Sequence, residues 1–140
     1  MQQLIQTLTL STHGQGLYEF TRAVRQFVTD SEISTGLLTV YARHTSCSLL
    51  IQENADQDVQ TDLQSFFERL VPEGTDWLVH TTEGPDDMPA HIKAALTQTT
   101  IGIPVEHEVP VFGTWQGIYL FEHRRQPHQR EIVLHIIGDR

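Results

Sequence analysis

The sequence predicts an α+β fold that is mostly β, with a mixed or antiparallel sheet folded as a sandwich or barrel and two to three helices packed outside it. Six or so short segments have the composition and alternation of strands, and two or three others have helical periodicity. Strands and helices do not alternate along the chain, which argues against Rossmann and TIM architectures. A length of 140 residues fits one core, so we expect residues 1–140 to form a single domain.

The first strand and the first helix follow from hydrophobic periodicity. Residues 2–10 place leucines on one face and threonines on the other, which is typical of a half-buried strand. After a turn-like segment at 11–16, apolar residues recur at helical intervals: Leu17, Phe20, Val24, Phe27 and Val28. This spacing predicts an amphipathic helix over residues 17–30.

Two strands and a second helix are predicted next. Segments 36–43 and 47–52 are rich in apolar and β-branched residues and are joined by a short polar turn. Apolar residues over 55–70 share one helical face, and Asn54 or Asp56 can cap the start of that helix.

The second half of the chain begins with a segment of weak periodicity. Residues 75–88 contain many turn-forming residues, which predicts a loop with one short strand at 77–80. Pro89 suits the first position of a short helix over 89–96, because its missing N–H would be unpaired there. Three more strands are predicted, at 99–105, 114–122 and 130–137.

Composition excludes several classes of function. The formal charge of -9 leaves no broad basic surface, so we expect no binding to nucleic acid or to anionic lipid. No apolar run approaches the roughly 20 residues that span a bilayer, and the polar start lacks the features of a signal peptide, so we expect a cytoplasmic protein. The lone Cys47 excludes an intrachain disulfide and a cysteine-rich zinc module. Any metal ion must therefore be bound by nitrogen and oxygen atoms.

Three histidines stand beside the acidic segments of the chain and suggest a metal site. His44, His80 and His91 offer imidazole, the commonest protein ligand for zinc and related ions. Nearby carboxylates can complete the coordination shell or orient a ligand imidazole, and they belong to Glu53, Asp56, Glu83 and Asp87. The spacing of the histidines matches no helical or strand repeat, so the sequence does not show that they converge.

Three segments in this order resemble the YjbQ family: HTSCSLLIQENAD at 44–56, EGPDDMPAHIK at 83–93 and GTWQGIYLFEHR at 113–124. The resemblance runs nearly from end to end of the chain. It implies a small, mostly-β domain, usually a homotrimer, with a polar and often metal-containing pocket. Members are commonly described as secondary thiamine-phosphate synthases, which join hydroxymethylpyrimidine diphosphate to a thiazole phosphate.

The residues and the resemblance together give each candidate a predicted role. We predict that His44, His80 and His91 bind a divalent metal ion, zinc or magnesium. The predicted catalytic groups, which act in acid–base roles or orient ligands, are Glu53, Glu83 and Asp87. The predicted contacts to a phosphorylated substrate come from Ser46, Asn54, Lys93, Trp115 and Gln116. In that set the indole ring is expected to stack on a planar heterocycle, and the neighbouring amide to read a ring nitrogen.

Three functions remain open at this level. Synthesis of thiamine phosphate needs a cation such as Mg²⁺ to stabilise the departing diphosphate, and Lys93 with the start of the third helix could add positive charge. Three imidazoles suit zinc better, so a hydrolase that uses a metal-bound hydroxide, with Glu83 or Asp87 as general base, is the main alternative. A trimer that binds a phosphorylated metabolite or a metal without catalysis is the third.

Overall fold

The computed structural model describes all 140 residues, from Met1 to Arg140, and confirms the α+β, mostly-β class. In chain order its elements are β1 (Gln2–Thr12), β2 (Gly16–Glu19), α1 (Thr21–Ser31), β3 (Thr35–Ala42), β4 (Cys47–Glu53), α2 (Gln57–Leu70), α3 (Asp87–Leu96), β5 (Thr100–Glu106), β6 (Val109–Pro110), β7 (Gln116–Glu122) and β8 (His128–Asp139). The larger sheet has the order β1-β8-β3-β5-β6, and the smaller has the order β2-β7-β4. All paired strands are antiparallel.

The hydrophobic core joins the inner faces of the two sheets with one face of α1. In β5 the residues Ile101, Ile103 and Val105 are buried while their neighbours are exposed, as the two-residue period of a strand requires. From α1 the core receives Val24 and Phe27, which lie one turn apart on the same face. Full burial of an aliphatic or aromatic side chain stabilises the fold by roughly 1.5–3 kcal/mol, so this layer holds the two sheets together.

Helix α2 lies on the outside of the smaller sheet. The carboxylate of Asp56 accepts a hydrogen bond from the backbone N–H of Asp58 at 2.9 Å, which confirms the predicted cap. The ring of Phe67 meets the ring of Phe121 edge to face, with centroids 5.3 Å apart. No residue of α2 is fully buried, so the helix covers the sheet without entering the core.

The first helix begins four residues later than its periodicity predicted. Residues 17–19 belong to β2, where Leu17 pairs with Phe121 and Glu19 pairs with Tyr119. The spacing of Leu17 and Phe20 fits a helix, but strand pairing along β7 takes precedence over this local pattern. The chain therefore turns from strand to helix at Phe20.

Two further predictions differ from the structure, and one short strand was not predicted. The strand predicted at 77–80 is absent, because this segment has no strand beside it and its Trp77 and Val79 are exposed. Helix α3 starts at Asp87, not at Pro89, since the first turn of any helix has unpaired N–H groups and tolerates proline beyond its first position. The two-residue strand β6 is too short to give a sequence pattern.

No helix has the combination of length and apolar character that crossing a membrane requires.

A fully buried ion pair connects strands of both sheets. Arg130 on β8 donates from Nε to Glu122 Oε1 at 2.8 Å and from a terminal nitrogen to Oε2 at 2.5 Å. Thr12 on β1 donates to the same carboxylate at 2.6 Å, and Ser46 before β4 accepts from Arg130 through its carbonyl and hydroxyl oxygens. Burial raises the pKa of Glu122, but the hydrogen bonds from Arg130 and Thr12 outweigh it and hold that pKa below its ordinary value.

Replacing Glu122 with glutamine is expected to destabilise the fold, because Glu122→Gln leaves the guanidinium of Arg130 buried without its counter-charge. Breaking one side of a buried pair costs about 3–5 kcal/mol, measurable by urea denaturation at neutral pH. The folded pKa of Glu122 is depressed, so its contribution is complete above the ordinary value of 4.5 and is lost as the pH falls through the lower folded value. The difference in the free energy of unfolding between wild type and variant should therefore become smaller as the pH falls below 4.5.

A matched control is Glu32→Gln, which removes the same charge from an exposed pair whose Glu32 carboxylate lies 3.8 Å from Arg140. Exposed pairs contribute about 0–1 kcal/mol, so this variant should unfold close to the wild type. Equal losses in the two variants would contradict a special role for the buried pair.

Candidate functional site

Two of the three predicted histidine ligands meet a carboxylate at the start of α3. Asp87 and His91 lie four residues apart on one face of α3, and His80 comes from the loop before it. The Nε2 atoms of His80 and His91 are 2.6 Å and 3.2 Å from the same oxygen, Asp87 Oδ2. The three potential ligand atoms all lie within 4.8 Å of one another. This arrangement can hold one metal ion with two nitrogen ligands and one oxygen ligand.

The orientation of His91 is fixed by a backbone carbonyl. Its Nδ1 atom is 2.8 Å from the carbonyl oxygen of Thr45. Because a carbonyl only accepts hydrogen bonds, Nδ1 carries a hydrogen, and in the neutral imidazole the lone pair is then on Nε2. That lone pair faces the carboxylate of Asp87, a contact that becomes favourable when a proton or a metal ion lies between the two atoms. Metal-ligating histidines commonly have this arrangement, with the other ring nitrogen donating to a carbonyl.

Asp87 is buried and remains charged. Its Oδ1 atom accepts a hydrogen bond from Arg124 at 2.8 Å, while Oδ2 faces the two histidines. Burial raises the pKa of Asp87, but the hydrogen bond with His80 and the electrostatic influence of His91 and Arg124 outweigh it and hold that pKa below its ordinary value. A carboxylate in this state is ready to act as a metal ligand.

Arg124 is the residue that the sequence analysis missed. Its guanidinium is buried just after β7 and donates to Asp86 at 3.0 Å, to Asp87 at 2.8 Å and to the carbonyl oxygen of Glu83 at 3.0 Å. It therefore fastens the loop before α3 to the end of the smaller sheet. Asp86 and Asp87 are adjacent at the start of α3, and two neighbouring carboxylates indicate that a cation is needed nearby. The sequence does not identify which basic residue supplies it.

His44 lies outside the cluster within one chain. Its Nε2 atom accepts a hydrogen bond from the backbone N–H of Glu131 at 2.7 Å. Burial, together with the positive charge of Arg130, lowers the pKa of His44, which favours the neutral acceptor. The turn that carries His44 still reaches the cluster, but through the carbonyl of Thr45. Asp87 takes the third position that the sequence analysis gave to His44.

Ser46 and Cys47 face the interior of the protein. The hydroxyl oxygen of Ser46 accepts a hydrogen bond from Arg130 at 3.0 Å, so this side chain supports the buried ion pair. Burial raises the pKa of Cys47 to about 12, which keeps it a thiol and leaves it without the thiolate character of a nucleophile.

Four other predicted site residues, Glu53, Asn54, Trp115 and Gln116, lie at the opposite end of the smaller sheet. Glu53 pairs with Gln116 at one end of β4 and β7, whereas Cys47 pairs with Glu122 at the other end, beside Arg124. Six steps of about 3.3 Å along a strand separate the two ends by roughly 20 Å. One chain therefore presents two separate groups of predicted site residues.

The distant group has a mixed environment. The side-chain amide of Asn54 donates a hydrogen bond to Glu19 Oε2 at 3.2 Å. One carboxylate oxygen of Glu53 is buried without a hydrogen bond. The side-chain oxygen of Gln116 accepts from the backbone N–H of Gly113 at 2.7 Å, which occupies it in a turn. Trp115 is 63% exposed and supplies the aromatic ring of this group.

Lys93 and Glu83 also differ in their placement. Glu83 is exposed in the loop between His80 and Asp87, and its carbonyl oxygen accepts a hydrogen bond from Arg124. Lys93 is two residues beyond His91 on α3, a rotation of about 200° around the helix axis. It is buried against a different pocket, between α2, α3 and the segment after β1.

Comparisons with known proteins agree on one family. The family model described as UPF0047 protein YjbQ-like matches residues 6–139. UPF0047 protein sll1880 of Synechocystis is 52% identical over 94% of this chain and 90% of that protein. UPF0047 protein YjbQ of Escherichia coli O157:H7 is 39% identical over 95% of this chain and 96% of that protein.

Solved structures with the same fold extend these matches. An uncharacterised conserved protein of the YjbQ/UPF0047 family from Clostridium acetobutylicum is 33% identical, with a TM-score of 0.82 over 96% of this chain and 99% of that chain. The conserved hypothetical protein TT1486 of Thermus thermophilus is 29% identical, with a TM-score of 0.84 over 94% and 99% of the respective chains. Sequence and fold therefore place this chain in the YjbQ-like UPF0047 family.

Proposed function

We propose that this protein is a metal-dependent transferase whose His80–Asp87–His91 cluster binds a divalent metal ion. The observation that carries the proposal is the lone pair of His91, held towards Asp87 by the hydrogen bond to the Thr45 carbonyl. Two imidazoles and one carboxylate with further positions open form the donor set of many catalytic zinc sites. Magnesium prefers oxygen ligands, so the donor set favours zinc or another transition ion.

The specific reaction that we propose is the coupling of hydroxymethylpyrimidine diphosphate to a thiazole phosphate, as a main or secondary activity. The bond between the pyrimidine methylene carbon and the diphosphate oxygen breaks, and its electron pair leaves with the diphosphate. The ring nitrogen of the thiazole then forms a bond to that carbon, so no protein nucleophile is needed. A bound metal ion would supply positive charge for the departing diphosphate.

The residues around the cluster have distinct tasks in this proposal. Arg124 holds Asp87 and the loop before α3, and Asp86, Asp87 and the Glu83 carbonyl occupy its donors. His80 and His91 face the same oxygen of Asp87 and would bind the ion with it. Glu83 is an exposed carboxylate in the same loop and is the proposed acid–base group.

A metal-dependent hydrolase is the second candidate, and the donor set itself favours it. Three protein ligands with an open position are typical of zinc sites that activate water. Glu83 would act as general base, because Asp87 is committed to the cluster and to Arg124. A trimer that binds a phosphorylated metabolite without catalysis is the remaining candidate.

Metal content should depend on the cluster residues. His91→Ala and Asp87→Asn each remove one of three donors, so zinc affinity should fall by about 10–100-fold or more in each variant, measured by calorimetry and by elemental analysis after dialysis. His44→Ala should keep its metal, because the His44 imidazole accepts a hydrogen bond from the Glu131 backbone.

The matched control is His128→Ala, which removes a half-buried imidazole whose Nδ1 atom lies 2.7 Å from the backbone carbonyl oxygen of Gln126. Metal content should not change in this variant. Equal metal content in the wild type, His91→Ala and Asp87→Asn would show that the cluster does not bind the ion.

Activity should follow the same residues. With hydroxymethylpyrimidine diphosphate and thiazole phosphate we expect slow, metal-dependent formation of thiamine phosphate, followed by fluorescence of the oxidised product and by ³¹P NMR of released diphosphate. The reaction should be lost in His91→Ala and reduced in Asp87→Asn, because both changes weaken the site that supplies positive charge. His128→Ala should retain the rate of the wild type.

Two other results would replace the synthase. If coupling stayed at the uncatalysed rate with Mg²⁺, Mn²⁺ and Zn²⁺ while phosphoester or amide substrates were cleaved, the hydrolase would be the function. If neither reaction occurred but a phosphorylated metabolite raised the Tm, the protein would be a binding module.

We further propose that the chain assembles as a homotrimer. The inner face of the larger sheet is covered, but its outer face carries exposed apolar side chains, with Ile5 69%, Leu37 47% and Tyr41 45% exposed. These residues lie on β1 and β3, which flank β8. Exposed apolar side chains on one face of a small domain favour an interface, and closed symmetry is the usual result of self-association.

The two separated groups of predicted site residues also support association. The His80–Asp87–His91 cluster and the group around Trp115 lie at opposite ends of β4 and β7 in one chain. A single substrate can contact both only if one end of a subunit faces the other end of its neighbour. A shared site of this kind would be incomplete in the monomer.

Introducing a charge on the outer face should dissociate the assembly. Leu37→Glu replaces an exposed apolar side chain of this face with a carboxylate, so light scattering should give a trimer mass for the wild type and a monomer mass for the variant. Thr61→Glu, which adds the same charge on the exposed side of α2, should remain trimeric. A monomer mass for the wild type across a wide concentration range would exclude the trimer.

A further inference from the structure

Lys93 is the single lysine of the chain, and it is buried. Only 6% of its surface is exposed, and its ammonium group forms neither a hydrogen bond nor an ion pair with the protein. Lysine is seldom buried without a partner, because removing an ammonium ion from water is costly. Glu68 and Glu73 are the nearest acidic residues, but neither forms an ion pair with Lys93. The ammonium nitrogen is not completely enclosed, so an acceptor from outside the protein can reach it.

His123 presents a second unpaired buried group. It is 1% exposed, its Nε2 atom lies 2.9 Å from the hydroxyl oxygen of Ser48, and its Nδ1 atom has no partner. Burial lowers the pKa of His123 to about 3, so the ring is neutral. Ser48 is fully buried and has no other hydrogen-bond partner. We infer that its hydroxyl donates its hydrogen to His123 Nε2. The hydrogen of the neutral ring is then on Nδ1, which becomes a donor without an acceptor.

Both unpaired donors line the same small cavity. Lys93 and His123 are joined there by the side chains of Gln15, Gln64 and Glu68, among others. Its volume of about 10 Å³ is close to the room that a single water-sized atom needs. A space of this size holds one oxygen atom, and Lys93 and His123 are two lining residues with an unpaired donor.

A larger polar pocket shares part of this lining. It has a volume of about 380 Å³ and is also lined by Lys93, Gln15 and Glu68, with Arg125 and Glu73 on the side towards solvent. Arg125 and Glu73 form an exposed ion pair, so their charges offset each other. Glu68 is exposed on α2 and forms no ion pair with Lys93, so the ammonium group is free to bind another partner.

We propose that this pocket binds the phosphate group of a small molecule, with one phosphate oxygen between Lys93 Nζ and His123 Nδ1 and the remaining oxygens in the larger pocket near Arg125. A phosphate oxygen accepts both hydrogen bonds, and its charge compensates the buried ammonium ion. The site is distinct from the His80–Asp87–His91 cluster, because Lys93 projects from α3 about 200° away from His91. The proposal does not depend on the metal centre or on the reaction.

The single lysine makes a direct test possible. Protein labelled with ¹³C at the lysine ε-carbon gives one lysine signal, which reports on Lys93 alone. Titration with inorganic phosphate at constant ionic strength should shift this signal to saturation, whereas chloride should not. Lys93→Met keeps the length of the side chain and removes its charge, so calorimetry should show phosphate affinity lowered by about tenfold or more. The control Arg22→Gln, which removes an exposed charge from α1, should bind phosphate as the wild type does.

The source of the phosphate group is distinguished by comparing inorganic phosphate with glycerol phosphate. Tighter binding of the ester would identify a phosphorylated metabolite, whose organic part fills the larger pocket, and tighter binding of inorganic phosphate would identify the free ion. The proposal fails if the lysine signal moves no further with phosphate than with chloride, or if Lys93→Met binds phosphate with unchanged affinity. If that variant does not fold, the titration of the labelled wild type decides the question alone.

Discussion

Charge burial at the end of β7 is the constraint on which the candidate sites depend. Three consecutive residues there are buried, and each holds a different part of the molecule. Glu122 pairs with Arg130 and joins the two sheets. His123 contacts Ser48 on β4 and faces the small cavity beside α3. Arg124 fixes the loop that carries the carboxylate of the metal cluster. Since breaking a buried ion pair is costly, the packing of this strand end and the position of α3 cannot vary independently.

Local periodicity was sufficient to predict the class of the fold and most of its elements. It failed where a long-range contact decided the outcome. Residues 17–19 have helical spacing, but hydrogen bonds to β7 make them a strand. Segment 77–80 has the composition of a strand and remains a loop, because no neighbouring strand is available to pair with it. Strand formation depends on a partner distant in the sequence, and periodicity contains no information about that partner.

The candidate site was predictable in part for the same reason. Asp87 and His91 are close in sequence and share a helix face, so their proximity follows from the chain itself. Arg124 lies 37 residues from Asp87, and nothing in the local sequence indicates their contact. His44 stands in a motif rich in polar residues, yet its imidazole is used by the backbone of β8. The residue types indicated which side chains could bind a metal ion or act in catalysis. Which of them lie close together was determined by the fold.

The contact between His91 and the carbonyl of Thr45 has a consequence for mutational tolerance. The atom that orients the imidazole belongs to the main chain, so a point substitution at position 45 changes an exposed side chain and leaves the acceptor in place. Insertion or deletion of one residue in the turn between β3 and β4 would instead displace the carbonyl and reverse the inward and outward faces of the following strand. The site is thus protected against exchange of residues in this turn and sensitive to its length.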